Sequence, residues 1–288
     1  IPENLKSGIY AARLRIGGLD SPDTEDYIPF VVRPPRGKTT AKLAFILPTN
    51  SYLAYSNDNL ATNCVVAELL AGKVPVMNAS DLYLNEHREY GLSTYSLHSD
   101  DSGVCYSSRL RPILNMRPKY RHWLSPSLWQ LNGDLHLVDW LEEKNFEFDI
   151  HTDEDLDREG VELLNKYQTV LTGSHPEYTS EKMFSAYEQY QQAGGRWIYL
   201  GANGFYWCSE YHPDNSNIIE VRKGEAGTRA WTANPGEYNN AFDGKYGGMW
   251  RARGRIPSKL CGLTFTAYGF DVSSYYVRDK DSERPETA

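Results

Sequence analysis

Residues 169–207, TVLTGSHPEYTSEKMFSAYEQYQQAGGRWIYLGANGFYW, read as one strand–helix–strand unit, and no other stretch constrains the fold as much. Two short apolar strands, 169–172 and 196–200, flank a helix in which Met183, Phe184, Tyr187 and Tyr190 recur at spacings of three and four. One face of that helix can therefore lie on a sheet. Thr179 or Ser180 can cap its first amides, Glu181 suits the positive first turn, and Gly194-Gly195 supplies a left-handed stop. A helix between two buried strands implies a parallel, right-handed crossover. Ser174, His175 and Glu177 follow the first strand and Asn203 follows the second, so these polar residues share one rim of the sheet. That rim is where α/β folds place their chemistry.

The remaining pattern extends the same architecture. Residues 44–47 (AFIL) are wholly apolar, as expected of a buried parallel strand, and end at Pro48-Thr49-Asn50. A helix is expected over 135–144, a strand over 146–150 and a second helix over 157–167, which together describe an open, doubly wound, mostly parallel sheet. Residues 8–17 and 27–32 read as two strands of a β module whose remainder lies upstream, with 33–41 leading into the main domain. The expected division is a β segment with its linker over 1–35 and an α/β domain over 36–288. Residues 51–126 lack strong periodicity and read mostly as extended loops, which in a compact domain signals function or an interface. Further strands are expected at 218–221 and 263–267, a Gly/Arg-rich loop at 247–255, and a charged tail at 279–288.

Charge and cysteine usage narrow the function classes. The net charge of −8 is spread over interspersed acidic and basic residues, which does not suit nucleic acid. No apolar run approaches a membrane span, and Ile1 opens neither a signal peptide nor a normal initiator sequence, as in a mature fragment or a piece of a longer chain. Cys64, Cys105, Cys208 and Cys261 form no Cys-x-x-Cys pair, so free thiols in a cytoplasmic protein are expected. The seven histidines show no metal-binding spacing. The turn Gly201-Ala202-Asn203-Gly204 resembles a nucleophile elbow, yet asparagine is no nucleophile. Asn203 can hydrogen-bond a developing oxyanion, or it can simply occupy a left-handed position in an ordinary turn. His175 and Glu177 can be a base with an acidic partner, a pair of metal ligands, or a loop with a solvated carboxylate.

The segments AFILPTNSYLAYSND (44–58), EYGLSTYSLHSDDSGVCYSSRLRP (89–112), VLTGSHPEYTSEKM (170–183), YLGANGFYW (199–207) and TFTAYGFDVSSYY (264–276) resemble the large subunit of the N,N-dimethylformamidase family. The resemblance runs over nearly the whole chain. It implies a glutamine-amidotransferase-like α/β core that hydrolyses N,N-dimethylformamide to dimethylamine and formate. It also implies a mononuclear ferric iron held by two tyrosines and one glutamate. Carried over residue by residue, these are Tyr55, Tyr95 (with Tyr90 the neighbouring alternative) and Glu177; His175 matches the family histidine two residues earlier, and Asn203 the substrate-facing asparagine. A small helical partner subunit and homo-oligomerisation of the large subunit are implied by the same resemblance. Family members are longer, with a lectin-like domain upstream and a further acidic active-site residue downstream. No glutamate here matches that acidic residue, because Glu283 and Glu286 lie in the charged tail.

Two phenolates and a carboxylate are hard anionic donors suited to a trivalent cation, whose field can displace a tyrosine proton held with an ordinary pKa of about 10. A tertiary amide offers no N–H, so its recognition calls for a small aromatic-walled pocket, for which Phe205, Tyr206 and Trp207 are candidates. The alternatives are a related hydrolase of another small amide and a noncatalytic scaffold of the same fold.

Overall fold

The computed structural model describes residues 2, 5–17, 25–63, 68, 74–124, 127–266 and 280. In chain order its strands are β1 (Gly8–Arg15), β2 (Glu25–Val32), β3 (Leu43–Leu47), β4 (Tyr106–Ser108), β5 (Phe148–Thr152), β6 (Thr169–Thr172), β7 (Tyr178–Thr179), β8 (Arg196–Ile198), β9 (Trp207–Cys208), β10 (Glu210–His212) and β11 (Asn215–Glu220). The central sheet has the order β5-β3-β6-β8 with every pair parallel. Counted along the chain this is a 2-1-3-4 winding, whose direction reverses between β3 and β6.

Alternation along β3 explains why the sheet is covered on both faces. Ala44 and Ile46 point into one core cluster with Leu156, Leu163, Met183 and Phe184, while Phe45 and Leu47 point into another with Leu131, Val138 and Leu141. Helices thus pack on each side, as the strand–helix pattern predicts. The helix Glu181–Gln192 buries Met183, Phe184, Tyr187 and Tyr190, is capped by Ser180, and stops where Gly194 takes φ 84°. The antiparallel hairpin β1-β2 packs Ile9 and Val31 against the second cluster.

Several elements differ from the sequence expectation. The helix expected at 157–167 is two pieces, Asp153–Glu159 and Val161–Leu164, because Gly160 at φ 60° breaks the ladder. The preceding helix begins earlier, at Leu131, and its following strand ends later, at Thr152. The region read as extended loops holds helices at Thr49–Ala54, Leu60–Asn63 and Ala79–Glu86, besides β4. Side-chain bonds to backbone order this region more than an apolar stripe does. Asn78 accepts from the amides of Ser80 and Asp81, and the amides of Asn57 and Asn115 tie its loops together. Residues 263–266 form no strand, and Ala267 with most of the expected tail lies outside the described residues. Among the described residues, no helix is long and apolar enough to cross a membrane.

A buried polar relay on β5 carries a pH consequence. His151 is fully buried and its Nε2 lies 2.7 Å from the Tyr167 hydroxyl, which itself donates to Asp149 at 3.0 Å. Its Nδ1 finds no partner among the described residues. Burial, reinforced by the charge of Arg33, lowers the His151 pKa from 6.5 to about 4. The unfolded chain therefore takes up this proton first, and stability falls as the pH drops from about 6.5 toward about 4. Urea midpoints measured across that window should show a loss of about 3 kcal/mol that is absent from a folded His151→Gln variant.

Candidate active site

The two strands that meet at the reversal of the winding, β3 and β6, each lead directly into the site. After β3 the chain turns through Pro48 into the helix Thr49–Ala54, which presents Tyr55 at its C-terminal end. The loop 93–95 hangs on the same helix end: the amide and hydroxyl of Thr94 both donate to the Ala54 carbonyl, at 3.2 and 2.9 Å. That attachment stacks the ring of Tyr95 on the ring of Tyr55, with centroids 4.2 Å apart. Tyr90 sits elsewhere, its hydroxyl 3.2 Å from that of Tyr83. Of the two neighbouring candidates, Tyr95 is the one placed beside Tyr55.

After β6 the backbone passes so close to Pro48 and Asp134 that a methyl group on Gly173 would collide with both. The Ser174 amide then donates to Asp134 at 2.6 Å, and the Glu177 amide donates to the Ser51 hydroxyl at 3.0 Å. The turn after β8 is stitched to this loop. The Phe205 amide donates to the Pro176 carbonyl at 2.7 Å, and those of Tyr206 and Trp207 donate to the Glu177 carbonyl at 3.0 Å. Gly201, Ala202 and Phe205 take the left-handed conformations of the turn, and Asn203 does not.

The side chains converge on Glu177, which is buried. Its Oε2 accepts from the Tyr55 hydroxyl at 2.8 Å and lies 3.0 Å from His175 Nε2; its Oε1 accepts from Asn203 Nδ2 at 2.7 Å. His175 Nε2 is also 2.6 Å from Asn203 Oδ1. The Tyr95 hydroxyl pairs at 2.6 Å with that of Tyr178. Tyr55, Tyr95, His175, Glu177 and Asn203, named from the sequence, are thus brought together at one point.

Charge at this point is strongly perturbed. Burial alone would raise the Glu177 pKa, but the His175 charge and the bonds from His175 and Tyr55 hold it below the usual carboxylate value. Burial likewise disfavours the His175 cation, and the Glu177 carboxylate more than offsets this, raising its pKa. Burial and then the Glu177 charge push both Tyr55 and Tyr95 well above the ordinary phenol value.

Three participants carry no sequence signature. Lys223 is fully buried, its Nζ has no hydrogen-bond partner among the described residues, and it stands 3.4 Å over the Tyr95 ring. Burial lowers its pKa to about 7, against the pull of Glu177 and Asp58. Trp129 packs edge-on against Tyr55 with centroids 4.6 Å apart, and Gln130 approaches His175 from behind. All three come from loops without apolar periodicity, and only their placement in space identifies them.

The aromatic run after Asn203 packs into the core beneath the site. Phe205 and Trp207 are fully buried, and Phe205 packs among Phe184, Tyr187, Trp197 and Tyr199 beneath the turn. Tyr206 is also buried, its hydroxyl accepting from the Thr228 amide. The half-buried aromatic surface at the mouth is Trp129 with Tyr55, backed by His122 at 4.0 Å from Trp129. Residues 205–207 were candidates for the pocket wall because hydrophobicity is the same in a pocket wall and in a core.

No group of three or more His, Cys, Asp or Glu among the described residues is arranged to hold a metal ion. The Tyr55 hydroxyl meets the Glu177 carboxylate, and the stacked Tyr95 directs its hydroxyl to that of Tyr178; two phenols and one carboxylate are of the chemistry that suits a hard, highly charged cation such as ferric iron and not a soft one.

Comparison with known proteins gives a family and relatives. A family profile described as N,N-dimethylformamidase beta subunit-like, C-terminal, matches residues 1–286. Proteins named N,N-dimethylformamidase beta subunit from Paracoccus aminophilus and from an Alcaligenes species are each 46% identical over 289 residues. Those alignments cover 100% of this chain and 37% of each relative, so the chain spans little more than a third of their length.

Proposed function

The chain belongs to the N,N-dimethylformamidase beta subunit-like family, and from that membership and the convergence on Glu177 we propose that it forms the catalytic core of an iron-dependent amidohydrolase. The reaction proposed is hydrolysis of N,N-dimethylformamide, in which water adds to the formyl carbon, the C–N bond breaks, and dimethylamine and formate leave. The 2-1-3-4 winding supports a glutamine-amidotransferase-like, flavodoxin-type core, with the site at the reversal between β3 and β6. Because the relatives are named as beta subunits, the proposal includes a partner subunit; that this partner is small and that the chain self-associates are proposed from the family resemblance alone.

Tyr55, Tyr95 and Glu177 are the residues that would hold the iron. When bound, such an ion polarises a carbonyl oxygen and acidifies water toward neutral pH. Asn203 donates one Nδ2 hydrogen to Glu177 and keeps the other for the substrate oxygen, whose negative charge grows as the carbonyl carbon becomes tetrahedral. Lys223 places a buried amine over the Tyr95 ring with no hydrogen-bond partner among the described residues, and a pKa of about 7 lets it exchange a proton near neutral pH. His175 carries hydrogen on Nε2, because two acceptors face that atom. It is therefore the group able to protonate the departing nitrogen. Trp129 and Tyr55 present apolar faces to the two methyl groups, for which no hydrogen-bond partner is needed.

The single observation that carries this reading is the meeting of Tyr55, Tyr95, Glu177, His175 and Asn203 at the C-terminal ends of two central strands. Its test is the purified protein with its partner subunit, assayed for dimethylamine release from dimethylformamide beside formamide and acetamide, together with elemental analysis. Iron at about one per chain and a preference for the tertiary amide are expected. Release from formamide or acetamide alone would assign a different amide substrate, and a metal-free, inactive protein would leave only a scaffold.

A further inference from the structure

Gln130 is 1% exposed and immediately precedes the helix Leu131–Glu143. Its backbone, at φ 50° and ψ −124°, lies where glycine is comfortable and a side chain is strained. A glutamine kept in a glycine position needs a reason in its side chain. Nε2 lies 3.3 Å from His175 Nδ1, and Oε1 has no partner among the described residues. The imidazole is therefore the one group among them that holds this amide.

The opposite edge of the imidazole shows what that hold achieves. Nε2 faces Asn203 Oδ1 at 2.6 Å and Glu177 Oε2 at 3.0 Å, so it must carry hydrogen. Nδ1, on the other edge, has the Gln130 side-chain amide as its hydrogen-bond partner. We propose that Gln130 is a positioning residue: its amide holds the Nδ1 edge of His175 and so keeps Nε2 aimed at Glu177 and Asn203, with the Asn203 oxygen toward the histidine and its nitrogen toward Glu177. Without that hold the imidazole can turn about its side-chain bonds, and Nε2 leaves the Asn203 oxygen whose amide nitrogen serves Glu177 Oε1. The catalytic consequence rests on the amidohydrolase reading above, since His175 is there the proton donor and Asn203 the oxygen-binding group.

Two variants test it. Gln130→Gly relieves the backbone and should keep or raise the Tm, whereas Gln130→Met keeps the length and the strain but cannot donate. Both should lower kcat on dimethylformamide by about 10- to 100-fold with KM within about threefold, so that activity does not follow Tm. Solid-state 15N spectra of histidine-labelled, metal-free protein, with His175 assigned by its loss in His175→Asn, should show one sharp set of His175 ring signals in the wild type and a split or broadened set in Gln130→Gly. Wild-type kcat and an unchanged His175 signal in Gln130→Gly would overturn the inference. An inactive wild type would overturn the amidohydrolase reading instead, and the 15N comparison would still decide whether Gln130 holds His175.

Discussion

Replacing Glu177 with glutamine is expected to strip the protein of iron and to lower kcat/KM on dimethylformamide by about a thousandfold or more. The carboxylate is 2% exposed and accepts from the Tyr55 hydroxyl, from Asn203 Nδ2 and from His175 Nε2. Glutamine has nearly the same shape, but one of its terminal atoms becomes an NH2 group facing at least one of those donors. The single anion of the cluster is lost, and with it the field that favours a cation between the phenols. The fold should survive, because the main-chain ties of this loop to Ser51, Tyr206 and Trp207 do not use the carboxylate. Metal analysis, kinetics and circular dichroism on the same preparation check this. A Glu177→Gln protein that holds wild-type iron and works within tenfold of wild type would remove Glu177 from the ligand set. Tyr55→Phe separates ligand from bystander in the same way: inactivity with full iron content and intact fold would assign the phenol another task.

Phe205→Ala should lower stability by about 3–5 kcal/mol, read as a Tm lower by roughly 10 °C. The ring is fully buried and packs edge-to-face on Phe184, Tyr187 and Trp197, with centroids 5.3 to 5.7 Å apart. Its backbone is also strained at φ 54° and is tied to Pro176 in the His175 loop. Losing the ring therefore opens a cavity directly under the turn that aims Asn203, and activity should fall with stability. Were Phe205 a wall of the substrate pocket, truncation would change KM and leave the Tm almost untouched. Thermal melts beside steady-state kinetics distinguish the two.

Parts of this molecule could be read from its residues because their determinants are local. The unit from β6 through β8 declares its caps, its apolar spacing and its glycine stop within 30 residues, and His175, Glu177 and Asn203 ride on it. Tyr55 and Tyr95 were identified by family resemblance and by no pattern of their own, since nothing in their spacing sets them apart among 21 tyrosines. Their pairing depends on Thr94 finding the Ala54 carbonyl, a contact 40 positions apart in the chain. Lys223, Trp129 and Gln130 were invisible for the same reason. The short helices of 49–86 escaped notice because asparagine side chains, which also favour turns, order much of that stretch.

The bond from Tyr55 to Glu177 closes a loop of 122 positions and joins the segment leaving β3 to the loop leaving β6. No shorter piece of the polypeptide holds both oxygens. Were the proposed ion held by both oxygens, it would be loaded only after β3 and β6 lie side by side, so completion of the sheet would come before its acquisition.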